Sequence, residues 1–235
     1  MRKWFRSKKP PPNPVERWGA VDDYFGQLFG NSDPALDAAL QASAAAHLPF
    51  IQVTPNQGKF LHLLARAIGA KKILEIGTLG GYSAIWLARA LPPAGRLITL
   101  EAEPQHAEIA RANLVRAGLD SRVEIRLGNA LDTLPRLLEE KIGPFDLVFI
   151  DADKPSNAEY FSWALKLTRR GSLIIVDNVA RDGAIVDAAS TDRNVLGVRR
   201  FNEILAAEPR VSATVIQTVS AKGYDGFAVI LVIAD

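Results

Sequence analysis

From Lys72 onward, short apolar runs alternate with longer stretches of helical periodicity. The runs are "KILEIG", "RLITLE", "RVEIRLG", "FDLVFID" and "SLIIVDN". Between them, apolar spacing predicts helices over 82–91, 104–117, 130–141 and 156–169. Repeated strand–helix units of this kind imply an α/β fold, a parallel sheet with helices on both faces. The end of the chain differs. A helix at about 196–207 precedes "RVSATVIQTV", the turn residues "KGYDG" and "FAVILVIA". That pattern predicts an antiparallel strand pair, with Tyr224 and Asp225 in the turn.

Three helical stretches come before the first strand. "WGAVDDYFGQLFG" sets Trp18, Val21, Phe25 and Leu28 at helical spacing. "SDPALDAALQASAAAH" offers Asp33 as a cap and Pro34 in the first turn. "NQGKFLHLLARAIGA" follows Thr54–Pro55 and carries a stripe of Phe60, Leu61, Leu64 and Ile68. The expected organisation is a basic, disordered arm over 1–17 and a single domain over 18–235. That domain's N-terminal extension, 18–70, is helical.

Composition narrows the chemistry. The 235 residues are 48% hydrophobic, enough for a sizeable core, and include no cysteine. Disulfides, zinc thiolates and thiol catalysis are therefore excluded, which suits a reducing, cytoplasmic location. No apolar run approaches the roughly 20 residues of a membrane span. "MRKWFRSKKPPPNP" lacks the apolar core of a secretory signal. Neither nucleic acid nor stable membrane association is expected as a partner of the body. Of the net charge of +2, residues 1–17 hold +5, six cations against Glu16, which leaves −3 for the rest. Trp4 and Phe5 among those cations suit contact with lipid, RNA or a coenzyme phosphate.

Polar residues gather where the predicted strands end: Glu75 and Gly77, then Glu101, then Asp151, then Asp177 and Asn178. In an open parallel sheet the ligand crevice lies outside these ends. Gly77, Gly80 and Gly81 allow a tight turn and a close ligand approach, but their spacing is not that of a dinucleotide fingerprint. A carboxylate at Glu101 could accept from two ribose hydroxyls, and Glu75 lies where a ligand ammonium could sit. Together these features fit an adenosyl amino acid better than a dinucleotide. Asp151, Asp177 and Asn178 supply hard oxygens without histidine or cysteine, which favours Mg²⁺, Mn²⁺ or Ca²⁺. The competing account is structural, with Asp151 capping a helix and Asp177–Asn178 forming a turn. His47, His62 and His106 read as packing or surface residues, and Tyr82, Trp86 and Trp163 as helix-face packing.

"ILEIGTLGGYSAIWLARALPPAGRLITLE", "FDLVFIDADK" and "LIIVDN" resemble the cation-dependent small-molecule O-methyltransferases. That family includes the catechol and caffeoyl-coenzyme A O-methyltransferases, and the bacterial members look closest. The resemblance runs from about Thr54 to the C-terminus, through "NQGKFL", "RRFNEILAAEPRV" and "KGYDGFAVILV". It implies the Rossmann-like, seven-stranded methyltransferase fold with an antiparallel C-terminal strand, and S-adenosylmethionine as donor. It makes Asp151, Asp177 and Asn178 the metal ligands and Lys154 the general base. It assigns the donor to Val53, Thr54, Glu75, Gly77, Ser83, Glu101, Ala130 and Asp151. It also implies a homodimer through the N-terminal helices. The chain departs from the family pattern in the arm and over 179–197, where the family holds its substrate determinants.

The implied reaction is methyl transfer to one hydroxyl of a vicinal dihydroxy aromatic, a small phenolic acceptor chelated by the cation. Lys154 would take the proton, with Asp153 in a supporting role. Two other readings stay open. One is a methyltransferase acting on RNA or protein through the basic arm, against which stands the absence of an N-P-P-Y-type tetrapeptide after the fourth strand. The other is a non-catalytic donor-binding protein, against which stand Asp151, Lys154, Asp177 and Asn178.

Overall fold

A computed structural model describes residues 13–30 and 32–235. Most of the predicted arm, with Trp4 and Phe5, lies outside the described residues. The described part opens on helix α1 (Pro14–Phe29), so 14–17 are helical. Asn13 caps it by accepting from Val15 N at 3.1 Å. Helices α2 (Pro34–Ala45) and α3 (Pro55–Ala67) follow. Asp33 accepts from Ala35 N and Leu36 N. Its carboxylate also pairs with Arg89 at 2.5 Å, tying the start of α2 to the next helix but one.

The sheet has seven strands. They are β1 (Lys72–Ile76), β2 (Arg96–Glu101), β3 (Val123–Leu127), β4 (Leu147–Ile150), β5 (Leu173–Asp177), β6 (Val211–Ser220) and β7 (Gly223–Val232). Their order across the sheet is 3-2-1-4-5-7-6. The first five run parallel, and β7 pairs antiparallel with both β5 and β6. Strand order reverses between β1 and β4, which puts the crevice of a doubly wound sheet outside their carboxyl ends. Helices α4 (Tyr82–Ala90), α5 (Pro104–Arg116), α6 (Ala130–Glu139), α7 (Asn157–Lys166) and α8 (Arg193–Ala207) supply the connections.

Period-two alternation splits the core into two layers. Leu74, Ile76, Val148, Ile150, Ile174 and Val176 face α6, α7 and α8, where they meet Leu134, Phe161 and Phe201. Ile73, Leu147, Phe149 and Ile175 face the other way, onto Leu61, Ala65 and Ile85. Both faces of β4 are therefore buried, which is why its sequence is an unbroken apolar run. Phe145, Phe149, Phe161 and Phe201 are fully buried, each contributing roughly 1.5–3 kcal/mol of transfer free energy. Among the described residues no helix is long and apolar enough to cross a membrane.

Several boundaries differ from the sequence expectation, three of them near the site. The helix expected from residue 156 is preceded by a 3-10 turn, Lys154–Ser156, because Pro155 supplies no donor. Helix α8 starts three residues early, where Asp192 accepts from Asn194 N. The C-terminal turn is only Ala221 and Lys222, closed by the pair Ser220–Gly223. Gly223 (φ 106°) absorbs the reversal, so Tyr224 and Asp225 belong to β7 and not to a turn.

Candidate active site

Two cavities open at the carboxyl ends of the strands. The larger, about 510 Å³, is lined by Gly77, Leu79, Ser83, Glu101, Ala130 and Lys154, among others. The smaller, about 340 Å³, is lined by Gln57, Asp177, Arg181, Lys222, Tyr224 and Asp225, among others. Ile51, Gln52, Val53, Asn178 and Arg181 line both, so the two meet there.

The larger cavity is built from the turn after β1. Gly77 takes φ 98°, and a Cβ there would stand 2.3 Å from the Asp151 carbonyl oxygen. No residue but glycine lets β1 end that close to β4. The turn's amides then reach the end of β2. Thr78 N and Leu79 N donate to Glu101 Oε2 at 3.2 and 2.7 Å, and Glu103 N donates to Oε1 at 2.9 Å. His106 Nδ1 lies 3.5 Å from the same Oε1. Three backbone amides thus hold the Glu101 carboxylate in place at the mouth of the larger cavity. His106, read from the sequence as a packing or surface residue, lines the larger cavity beside Glu101. It stands one turn into α5, five residues after the strand-end carboxylate, and that spacing was the available signal.

Glu75 lines neither cavity. It is fully buried in β1, where Thr99 Oγ1 donates to its Oε2 at 2.6 Å and Oε1 has no partner. Burial pushes its carboxyl up to about 7. Thr78 Oγ1 bonds Thr99 Oγ1 at 2.6 Å, so hydroxyls connect Glu75 to the turn above it. Thr54 also departs from its expected place. It caps α3 by accepting from Gln57 N at 3.2 Å and lines the smaller cavity, whereas Val53 lines both.

Charged groups crowd the junction. Lys154 is 8% exposed, and its Nζ donates to Asp151 Oδ1 at 2.9 Å. It is not a solvated lysine. A Cβ at Gly197 of α8 would meet the Lys154 carbonyl oxygen at 2.4 Å, so α8 packs directly on the turn that presents this amine. Asp153 braces the same turn, accepting from Ser156 Oγ at 2.6 Å and Tyr160 Oη at 2.5 Å. Asp177 is 4% exposed, and its carboxyl is pushed up to about 7, first by burial and then by the charge of Asp151. Asn178 leaves β5 at φ 58°, a left-handed conformation that asparagine tolerates, and stands between the cavities.

Among the described residues, no group of three or more His, Cys, Asp or Glu side chains is arranged to hold a metal. The candidate set here is two carboxylates and an amide. Its chemistry fits a hard divalent cation. Burial and the neighbouring Asp151 charge both disfavour an ionised Asp177, and the ammonium groups of Lys154 and Lys222 act against that charge. Arg181, which lines both cavities, was not anticipated from the sequence. Its own amide and that of Ala180 donate to Asp225 Oδ1 at 2.9 Å, fixing the strand β7 carboxylate beneath it.

Comparison with known proteins agrees with this geometry. A family model described as O-methyltransferase matches residues 30–228. A catechol O-methyltransferase of Niastella koreensis is 57% identical over 213 residues, 91% of this chain and 96% of that one. A catechol O-methyltransferase of Mycobacterium tuberculosis is 55% identical over 221 residues, 94% of this chain and 97% of that one. Among solved structures, the O-methyltransferase from Bacillus cereus in complex with SAH superposes with a TM-score of 0.91 at 56% identity. That match covers 93% of this chain and 99% of the other. The chain belongs to the O-methyltransferase family and is an S-adenosylmethionine-dependent O-methyltransferase.

Proposed function

We propose that this enzyme methylates one hydroxyl of a vicinal dihydroxy aromatic and needs a divalent cation, Mg²⁺ or a similar hard ion, held by Asp151, Asp177 and Asn178. The observation that carries the proposal is the buried Lys154 amine on Asp151 in the larger cavity, which meets the Asp177-lined smaller cavity along Val53, Asn178 and Arg181. The larger cavity suits the donor, with Glu101 for the ribose and Val53, Gly77, Ser83 and Ala130 around the remainder. The smaller suits a planar acceptor whose hydroxyls point at Asp177 and Asn178. The catechol O-methyltransferase names of its relatives support the same acceptor class.

Methyl transfer forms an O–C bond, breaks the donor's S–C bond and requires the acceptor oxygen to lose its proton. A bound cation would supply Lewis acidity and hold two adjacent oxygens. Lys154 Nζ receives the proton. Asp151 would hold the cation in place of the ammonium, and Lys154, having given its own proton to solvent, would then stand neutral to take the acceptor's. The buried turn, braced by Asp153, Ser156 and Tyr160, keeps that amine at the junction. Holding both reactants in one geometry can supply roughly 7–11 kcal/mol of the acceleration.

Incubation with labelled donor tests this directly. Catechol should be methylated with Mg²⁺ present and not in excess EDTA, while far-ultraviolet circular dichroism stays unchanged. A monophenol reacting as fast as its catechol, or full activity at an empty metal site, would overturn the proposal. The apolar face that α1 exposes through Val21, Tyr24, Phe25 and Leu28 supports a homodimer, for which light scattering should return twice the chain mass.

A further inference from the structure

We infer that Gln57 is a positioning residue that orients the Asp177 carboxylate for its cation. The inference rests on the reading of Asp177 as a ligand. An aspartate χ2 is broad and two-fold, so rotamer preference alone does not aim its oxygens. In this protein, Asp177 Oδ1 accepts from the neighbouring Asn178 N at 2.8 Å. Gln57 Nε2, 120 positions away in sequence, donates to Oδ2 at 2.7 Å. Each oxygen therefore keeps one lone-pair direction free. The Asn178 contact is local and follows from the chain leaving β5. The Gln57 contact is the tie to another element.

Gln57 is itself held. It stands in the first turn of α3, where its amide donates to the Thr54 cap and Pro55 fixes the entry. The next residue, Gly58, lies so close to α4 that a Cβ would stand 2.3 Å from the Trp86 ring. The helix end cannot slide without opening that contact. The segment leading into it, Ile51 to Val53, lines both cavities. The Gln57 bond thus connects the wall shared by donor and acceptor to one carboxylate at the reacting junction. Gln57 touches neither reacting atom in this argument; it acts through Asp177.

The test is Mn²⁺ titration of the full chain, with free ion counted by electron paramagnetic resonance, for wild type, Gln57→Met and Gln57→Ala. Methionine keeps the volume and removes the donor. Its Mn²⁺ affinity should fall about 10–100-fold, the usual effect of losing a hydrogen bond behind a metal ligand. Calorimetric affinity for S-adenosylhomocysteine without metal should stay near wild type. Wild-type protein that binds no Mn²⁺ would remove the cation reading itself. Wild-type binding with an unchanged Gln57→Met would overturn this inference alone. Parallel loss of Mn²⁺ and S-adenosylhomocysteine affinity, or loss of a cooperative melt in both variants, would assign Gln57 to the fold and also overturn it.

Discussion

The two cavities are built by different means. One side of the larger is set by consecutive βα units: the turn after β1 lends its amides to a carboxylate at the end of β2. The smaller is assembled from side chains of four separated places, Gln57 on α3, Asp177 on β5, Arg181 after it and Lys222 in the β6–β7 turn. A site made from consecutive βα units inherits its geometry from sheet register. A site gathered from distant segments depends on individual tertiary ties. On the proposed assignment the contrast suits the reaction: the donor is constant, whereas a wall gathered from distant segments can change its acceptor without disturbing the sheet.

The junction should show the largest effect. Lys154→Ala should lower kcat by roughly 10²–10⁴, the range for loss of a general base, with little change in acceptor KM. Rates compared across nitro- and halo-substituted catechols should show the deficit shrinking as the phenol becomes more acidic. A constant deficit across the series would make Lys154 a positioning group, and the junction would then belong to the acceptor wall.

On the donor side, Glu101→Ala should weaken binding of S-adenosylmethionine by about 1.5–3 kcal/mol, as expected for hydrogen bonds to a charged group. Part of that loss would come from the turn, because Thr78 N and Leu79 N lose their shared acceptor. Unchanged affinity by calorimetry would show that the amides, and not the ribose, are what this carboxylate serves.

Beneath the turn, Glu75 sharpens the contrast through pH. Its folded carboxyl titrates at about 7, above the ordinary value of 4.5, because burial disfavours the charge. Raised affinity for a proton in the fold means stability is greatest at low pH and is lost as pH rises through 7. Between pH 5 and 8 the donor-free wild type should lose about 2 kcal/mol more in urea unfolding than Glu75→Gln. Equal pH slopes would mean that Glu75 keeps its charge in the fold.

Legibility in the sequence follows the same division. Strands, their parallel order and the strand-end residues Glu101, Asp151, Asp177 and Asn178 could be read because each sits at a boundary between an apolar run and a turn. Gln57 could not, since nothing local marks a glutamine on a helix as the partner of an aspartate on β5. Tyr224 and Asp225 were misplaced for a related reason. "KGYDG" carries every local sign of a long turn, and only pairing with ten residues of β6 extends the strand through it. Glu75, expected from its place before Gly77 to meet the donor, is fully buried beneath the turn and lines neither cavity, which the strand-end pattern alone did not reveal.

The smallest effect belongs to Lys222, and it tests whether the acceptor wall depends on such ties. Its ammonium donates to the Gln52 carbonyl and lies 4.7 Å over the Phe50 ring. Both contacts pin the segment whose next residues line the two cavities. Lys222→Met keeps most of the stem and removes the charge, so the segment loses its anchor while the hairpin keeps its packing. A charge-assisted hydrogen bond and a cation–π contact at a half-exposed position are together worth about 1 kcal/mol once solvent competes. The expected result is an acceptor KM raised about 2–5-fold, with donor affinity almost unmoved because Glu101 and the turn hold that side independently. If donor affinity falls equally, the segment is as much a donor wall as an acceptor wall, and the division between the two cavities fails at Gln52.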